Sequence, residues 1–141
     1  MERERWGDYK TVYRLLRKKY PSIFEELAQQ PILFDQSMVE PLLGRFLVVK
    51  GITAKDFTSN KSNCRLLFIA VATKIFDPLL FVDEEKKMLG GLRDRLAEVS
   101  NTDGSQISHN LKTVRTYLRA YPSFRKEVDY LYATIVKEFF C

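Results

Sequence analysis

Apolar residues recur at spacings of three and four along most of the chain, the pattern of helices that bury one side. Five of them, four of which are aromatic, lie on one side of the first predicted helix, which ends before Pro21. These residues are Trp6, Tyr9, Tyr13, Leu16 and Tyr20. A short second helix is predicted from Ser22, a capping residue, through Gln30.

A third helix is predicted from Gln36 to Lys50, because Gly51 is a typical helix end. Pro41 and Gly44 favour a break or a late start within this helix, since neither residue suits a helix interior.

The most apolar part of the chain follows a polar segment, residues 51–63, that reads as a loop or a short helical turn. Ser62 or Asn63 is expected to cap a buried helix that reaches Phe76. The dipeptide Asp77-Pro78 predicts its end, because the residue before proline is disfavoured in helical geometry.

The chain beyond residue 82 predicts three more helices. Asp83, followed by two glutamates, is typical of a capped helix start, and this helix is expected to reach Val99 although Gly90-Gly91 weakens its middle. After a turn, in which Asp103 or Ser105 can cap, the next helix has five inward apolar positions. They are Ile107, Leu111, Val114, Leu118 and Tyr121.

Pro122 separates that helix from the last one, which is predicted over residues 122–141. No segment alternates apolar and polar residues between turn signals, so no strand is predicted. We therefore expect one all-α domain over residues 1–141, compact and built from six to seven helices. At this length a single core can bury roughly 68% of the unfolded surface.

Composition agrees with a globular domain, since 45% of residues are hydrophobic and 29% charged. The net charge of +5 favours polyanionic partners. Its distribution is more informative, because Gly104 to Lys126 contains no Asp or Glu. That window contains five basic residues: Lys112, Arg115, Arg119, Arg125 and Lys126.

Several classes of protein are disfavoured. Cys64 and Cys141 do not form a disulfide framework, and the first residues do not resemble a signal peptide, so a reducing cytoplasm is expected. The longest apolar run is too short to span a membrane. His109 is the single histidine, no metal-ligand spacing surrounds it, and Gly90-Gly91 lacks the spacing of a phosphate loop. We expect no metal, no cofactor and no catalytic activity.

Residues 83–121 meet the requirements of a helix-turn-helix. That motif needs a small residue in its first helix, a residue tolerant of positive φ at the turn, and apolar residues inside the second helix. Ala97 and Asn101 meet the first two requirements, since asparagine visits the left-handed region readily.

The segment LAEVSNTDGSQISHNLKTVR, from Leu96 to Arg115, resembles the helix-turn-helix superfamily. Its nearest match is the recognition segment of arsenic-repressor-type bacterial regulators, which commonly reads LAxxLGLSxxxVSHHLKxLR. Ser100 and Thr102 depart from it, because apolar residues usually pack the turn there. Pro122 onward predicts a helix where winged members have a hairpin, so no wing is expected.

The resemblance implies that the second helix enters the major groove of double-stranded DNA. Its outward face is expected to contain Ser105, Gln106, Ser108, His109, Asn110, Lys112, Thr113 and Thr116. Base contacts are assigned to Gln106, His109, Asn110 and Thr113. Phosphate contacts are assigned to Ser105, Lys112, Arg115 and Arg119, and the hydroxyl of Ser108 suits either role.

The expected use of such a domain is transcriptional regulation or an accessory role in a mobile element. A near-palindromic DNA site favours a homodimer, formed through the C-terminal or the N-terminal helix. The alternative is a helical adaptor whose basic face contacts an acidic protein.

Overall fold

The computed structural model describes residues 18–19, 35–59, 63–83 and 85–140, without the side chains of 139 and 140. Within these ranges there are six α-helices and no strand, which confirms the all-α prediction. The helices are α1 (Val39–Lys50), α2 (Ala54–Thr58), α3 (Cys64–Phe76), α4 (Gly90–Val99), α5 (Gly104–Ala120) and α6 (Pro122–Phe140). The predicted helices around Trp6–Tyr20 and Ser22–Gln30 lie outside the described residues, except that Lys18 and Lys19 are helical and exposed.

A short 3-10 helix, Gln36–Met38, leads into α1. Asp35 begins it by accepting a 2.9 Å hydrogen bond from the Ser37 N–H, and hydrogen bonding to Ser37 lowers the pKa of that carboxyl. Because α1 starts only at Val39, Pro41 falls in its first turn. The N–H groups there have no acceptor within the helix, so the absence of an N–H in proline costs nothing. The predicted late start is therefore confirmed, and Gly51 ends the helix with φ 76°.

The central helix of the fold is α3, which is buried on nearly every side. It packs against α5, α6 and α1, so no side of it faces solvent and its apolar residues occur all around the helix. Phe68 contacts Phe46 of α1 and Phe57 of α2 edge to face, with ring centroids 5.3 and 5.5 Å apart. The predicted end before Pro78 is confirmed, although Asn63 begins the helix without a side-chain capping bond.

The predicted helix start at Asp83 is wrong, because α4 begins at Gly90. The carboxylate of Asp83 instead accepts the Glu85 N–H at 3.1 Å and forms a local turn. Arg115 donates a 3.3 Å hydrogen bond to the Lys86 carbonyl, which ties this segment to α5. Residues 85–89 therefore form an irregular connector before α4.

Helix α6 opens at Pro122 as predicted and packs along α3, α1 and α5. Its apolar residues Val128, Leu131 and Ile135 are at most 2% exposed, because they pack into the core of their own chain. These three residues are therefore not accessible to a partner, and a homodimer through the C-terminal helix would have to use other residues of it. Ion pairs from Arg45 and Lys50 of α1 further fix α6.

Candidate nucleic-acid interface

The turn between α4 and α5 is a four-residue segment, 100–103, with one left-handed residue. Asn101 has φ 55°, which confirms that it is the turn residue tolerant of positive φ. Its N–H donates to the Glu98 carbonyl at 3.2 Å, and the Thr102 N–H donates to the Ala97 carbonyl at 2.9 Å. These two bonds are a Schellman motif, which satisfies the last carbonyls of α4.

Helix α5 begins with a side-chain cap. The Asp103 carboxylate accepts the Gln106 N–H at 2.8 Å, and the Asp103 carbonyl accepts the Ile107 N–H at 3.2 Å. A carboxylate at this position also interacts favourably with the positive end of the helix dipole. Of the two capping residues that the sequence offered, Asp103 is the one used.

Helices α4 and α5 pack directly on each other. Leu92, Leu96 and Ala97 of α4 are buried, and so are three of the five predicted inward residues of α5, Ile107, Leu111 and Val114. Leu118 is only half-buried, and the prediction is wrong for Tyr121, which is 52% exposed because α5 ends at Ala120. Ser100 is also fully buried in this turn, and its hydroxyl has no hydrogen-bond partner among the described residues. A tight and well-packed two-helix unit therefore forms despite the polar turn.

One side of α5 faces solvent, and we call it the α5 stripe. Its members are Ser105, Ser108, His109, Lys112, Thr116 and Arg119, all of them exposed. The stripe contains no acidic residue and carries two cationic side chains, those of Lys112 and Arg119. Five of the nine predicted contact residues thus lie together on an accessible surface. Their hydroxyl, imidazole and cationic groups can bond bases or phosphates.

Asn110 does not face outward as predicted, because it is only 6% exposed. It lies on the flank of α5 toward the core, and its Oδ1 accepts a 3.0 Å hydrogen bond from Gln106 Nε2. Its Nδ2 has no partner among the described residues. Asn110 therefore orients the half-buried Gln106 and is removed from the set of base-contacting residues.

Thr113 and Arg115 lie beside the stripe and are also only partly accessible. The hydroxyl of Thr113 donates to the His109 carbonyl at 3.3 Å. Arg115 donates through Nε to the Leu80 carbonyl at 2.9 Å and through Nη2 to the Lys86 carbonyl. The assignment of Arg115 to phosphate is therefore revised, since its guanidinium ties the 80–86 region to α5.

A basic cleft of about 520 Å³ lies between the 85–90 segment and α5. The cleft has no signature in the sequence, because its residues come from three separate segments and meet only after folding. Met88 and Leu111 contribute apolar surface, and Glu85 is its one acidic lining residue among the described residues. The cationic lining residues are Lys86, Lys87, Arg93, Lys112 and Arg115.

The described residues contain no cluster of three or more His, Cys, Asp or Glu side chains placed to hold a metal ion. Cys64 is buried and its thiol lies 3.7 Å from the Asp56 and Phe57 carbonyls. Burial raises the pKa of this thiol, which disfavours the reactive thiolate. Within the described part of the chain, no helix combines the length and apolar character needed to cross a membrane.

Comparison of the chain with models of protein families, with curated protein sequences and with solved structures finds no match.

Proposed function

We propose that the protein binds double-stranded DNA by placing the α5 stripe in the major groove. The observation that carries the proposal is the pairing of a left-handed Asn101 turn with a following helix whose solvent face lacks acidic residues. A helix that reads DNA needs a fixed support, a polar outer face and no carboxylate facing the phosphates. The packing of α4 against α5 supports the first requirement, and the α5 stripe, which is polar and contains no acidic residue, supports the other two.

Roles of the stripe residues, and of the half-buried Gln106 and Thr113 beside them, follow from side-chain chemistry. Gln106, His109 and Thr113 are proposed for base edges, because amide, imidazole and hydroxyl groups bond donors and acceptors in the major groove. Phosphate contacts are proposed for the hydroxyls of Ser105 and Ser108 and for the cations Lys112 and Arg119. The proposed base contact of Gln106 depends on Asn110, because the Asn110 Oδ1 accepts a hydrogen bond from the Gln106 amide and orients it. Regulation of transcription, or an accessory role in a mobile element, is the proposed use.

Salt dependence tests this proposal. Fluorescence anisotropy with a random 20-base-pair duplex should show affinity that falls as salt rises, because bound phosphates release counterions. The double variant Lys112→Ala/Arg119→Ala should lower the slope of log affinity against log salt by about two, since each phosphate contact contributes nearly one unit. Lys55→Ala/Lys137→Ala removes the same charge from exposed positions on α2 and α6 and is the matched control.

Equal slopes for the two double variants would contradict an interface on α5. Failure of the wild-type protein to bind any duplex at low salt would favour the helical adaptor instead. The exposed apolar side chains of Val48 on α1 and Tyr130 on α6, 67% and 64% accessible, are the places where a protein partner of such an adaptor would be sought first.

A further inference from the structure

The basic cleft beside α5 has the features of a small-ligand site. Its volume of about 520 Å³ is within the range of pockets that hold small molecules and cofactors. Met88 and Leu111 provide apolar walls, whereas cationic side chains surround them. Such a combination suits an organic molecule with an anionic group at one end.

Two of the cations are fixed by bonds within the chain and shape the cleft. Lys86 donates to Asp77 Oδ2 at 2.6 Å, and Arg115 donates to the carbonyls of Leu80 and Lys86. These bonds hold the connector against α5 and leave Lys87 on the cleft wall opposite the helix. The ammonium groups of Lys87 and Lys112 make no hydrogen bond or ion pair within the described part of the chain. Glu85 is the one described carboxylate that lines the cleft, against five cationic side chains, and it forms no ion pair with either ammonium group.

Arg93 adds positive charge where the cleft meets the start of α5. A Cβ at Gly104 would come 2.8 Å from Arg93 Nε, so the guanidinium lies directly over the first residue of the helix. The positive end of the α5 dipole is already capped there by the Asp103 carboxylate, so the charge added at this end of the cleft is that of Arg93 itself. Arg93 also has only a distant partner in Asp94, with 3.9 Å between Nε and Oδ1. The cationic side chains repel one another when no anion is present. An anion bound among them replaces that repulsion with charge-assisted hydrogen bonds.

We infer that this cleft binds a small phosphate-bearing molecule through Lys87, Arg93 and Lys112, and that its occupation excludes DNA from the α5 stripe. The second part rests on the proposed function. It follows from the shared residues, because Ser108 and Lys112 line the cleft and also belong to the stripe. A phosphate bound to Lys112 competes with a DNA phosphate for the same ammonium group. The molecule thereby becomes an effector that releases DNA.

Inorganic pyrophosphate is the first probe, because it supplies the anionic group without any assumption about the rest of the ligand. Isothermal titration calorimetry at constant ionic strength should detect saturable binding, and amide NMR signals of residues 85–93 and 104–112 should shift. Lys87→Gln/Arg93→Gln should weaken this binding by about tenfold or more, since it removes two charge-assisted contacts. Lys55→Gln/Lys137→Gln removes the same charge elsewhere and should bind pyrophosphate like the wild type.

A second pair of variants separates the cleft from the DNA interface. His109 and Thr116 lie on the stripe but do not line the cleft, so His109→Ala/Thr116→Ala should weaken DNA binding and keep pyrophosphate binding. Lys87→Gln/Arg93→Gln should show the reverse pattern. Saturating pyrophosphate should reduce the DNA affinity of the wild type at constant ionic strength, but not that of Lys87→Gln/Arg93→Gln.

Two results would overturn the ligand site. One is a titration heat for pyrophosphate no greater than that of a chloride control. The other is equal pyrophosphate affinity in the cleft variant and its charge-matched control. Equal loss of DNA affinity in wild type and cleft variant would overturn the competition, because the effect would then be ionic. Absence of DNA binding in the wild type and every variant would contradict the proposed function only. The pyrophosphate titration tests the ligand site in the cleft independently of DNA.

Discussion

The α4–α5 turn can be tested through the backbone of Asn101. This residue is exposed and has φ 55°, so its side chain contributes little packing and its substitution reports on backbone geometry. The left-handed conformation costs an ordinary L-residue about 1–2 kcal/mol, whereas glycine adopts it freely and asparagine at reduced cost. Asn101→Ala should therefore lower the free energy of unfolding by about 1 kcal/mol, and Asn101→Gly should leave it equal or higher.

Urea unfolding followed by circular dichroism measures these differences. For a chain of this length, a loss of about 1 kcal/mol corresponds to a fall in Tm of roughly 3–5 °C. Lys126→Ala, at an exposed position within α6, is the control and should change stability by less than about 0.5 kcal/mol. Should Asn101→Ala be as stable as the wild type while Asn101→Gly is weaker, the turn does not have the left-handed geometry on which the α4–α5 unit depends.

The remaining predictions concern residues of the core and the cleft. Thr73 is fully buried and its hydroxyl has no partner among the described residues. Thr73→Val should therefore raise the free energy of unfolding by about 1 kcal/mol, seen as a higher urea midpoint. A lower midpoint would indicate a hydrogen bond to that hydroxyl. Gly104→Ala should displace the flexible Arg93 side chain and weaken pyrophosphate binding without lowering Tm, whereas unchanged binding would place Arg93 outside the site. In a Cys141→Ser background, the raised pKa and burial of Cys64 should make alkylation of the folded protein slow below pH 9 and fast in urea; rapid labelling of the folded protein would contradict its burial.

The residues that local chemistry governs were predictable from the sequence. Asn101 occupies the left-handed turn and Asp103 caps α5, because both effects act through the nearest few residues. Pro122 opens α6 for the same kind of reason, since its fixed φ suits a first helical position. Inward positions such as Ile107 follow from helical periodicity, which one amphipathic helix shows by itself.

Features that depend on distant contacts were not predictable. Asp83 resembles a helix cap, but the segment after it is irregular and is tied to α5 by Arg115, a contact from far along the chain that no local pattern shows. Asn110 looks outward on a helix viewed alone and is buried once the other helices pack beside α5. The cleft residues Lys87 and Arg93 have no local signature, because the anion site exists only where their segments approach α5.

The central claim is that the α5 stripe contacts DNA, and NMR mapping with a short duplex at low salt tests it most directly. The account predicts that the largest amide shift changes fall on residues 105–119 at the solvent-facing positions, Ser105, Ser108, His109, Lys112, Thr116 and Arg119. Positions on the outer surfaces of α1 and α6, such as Val48 and Tyr130, should change little. Shifts concentrated on α1 and α6, or no shifts at all at low salt, would contradict the claim.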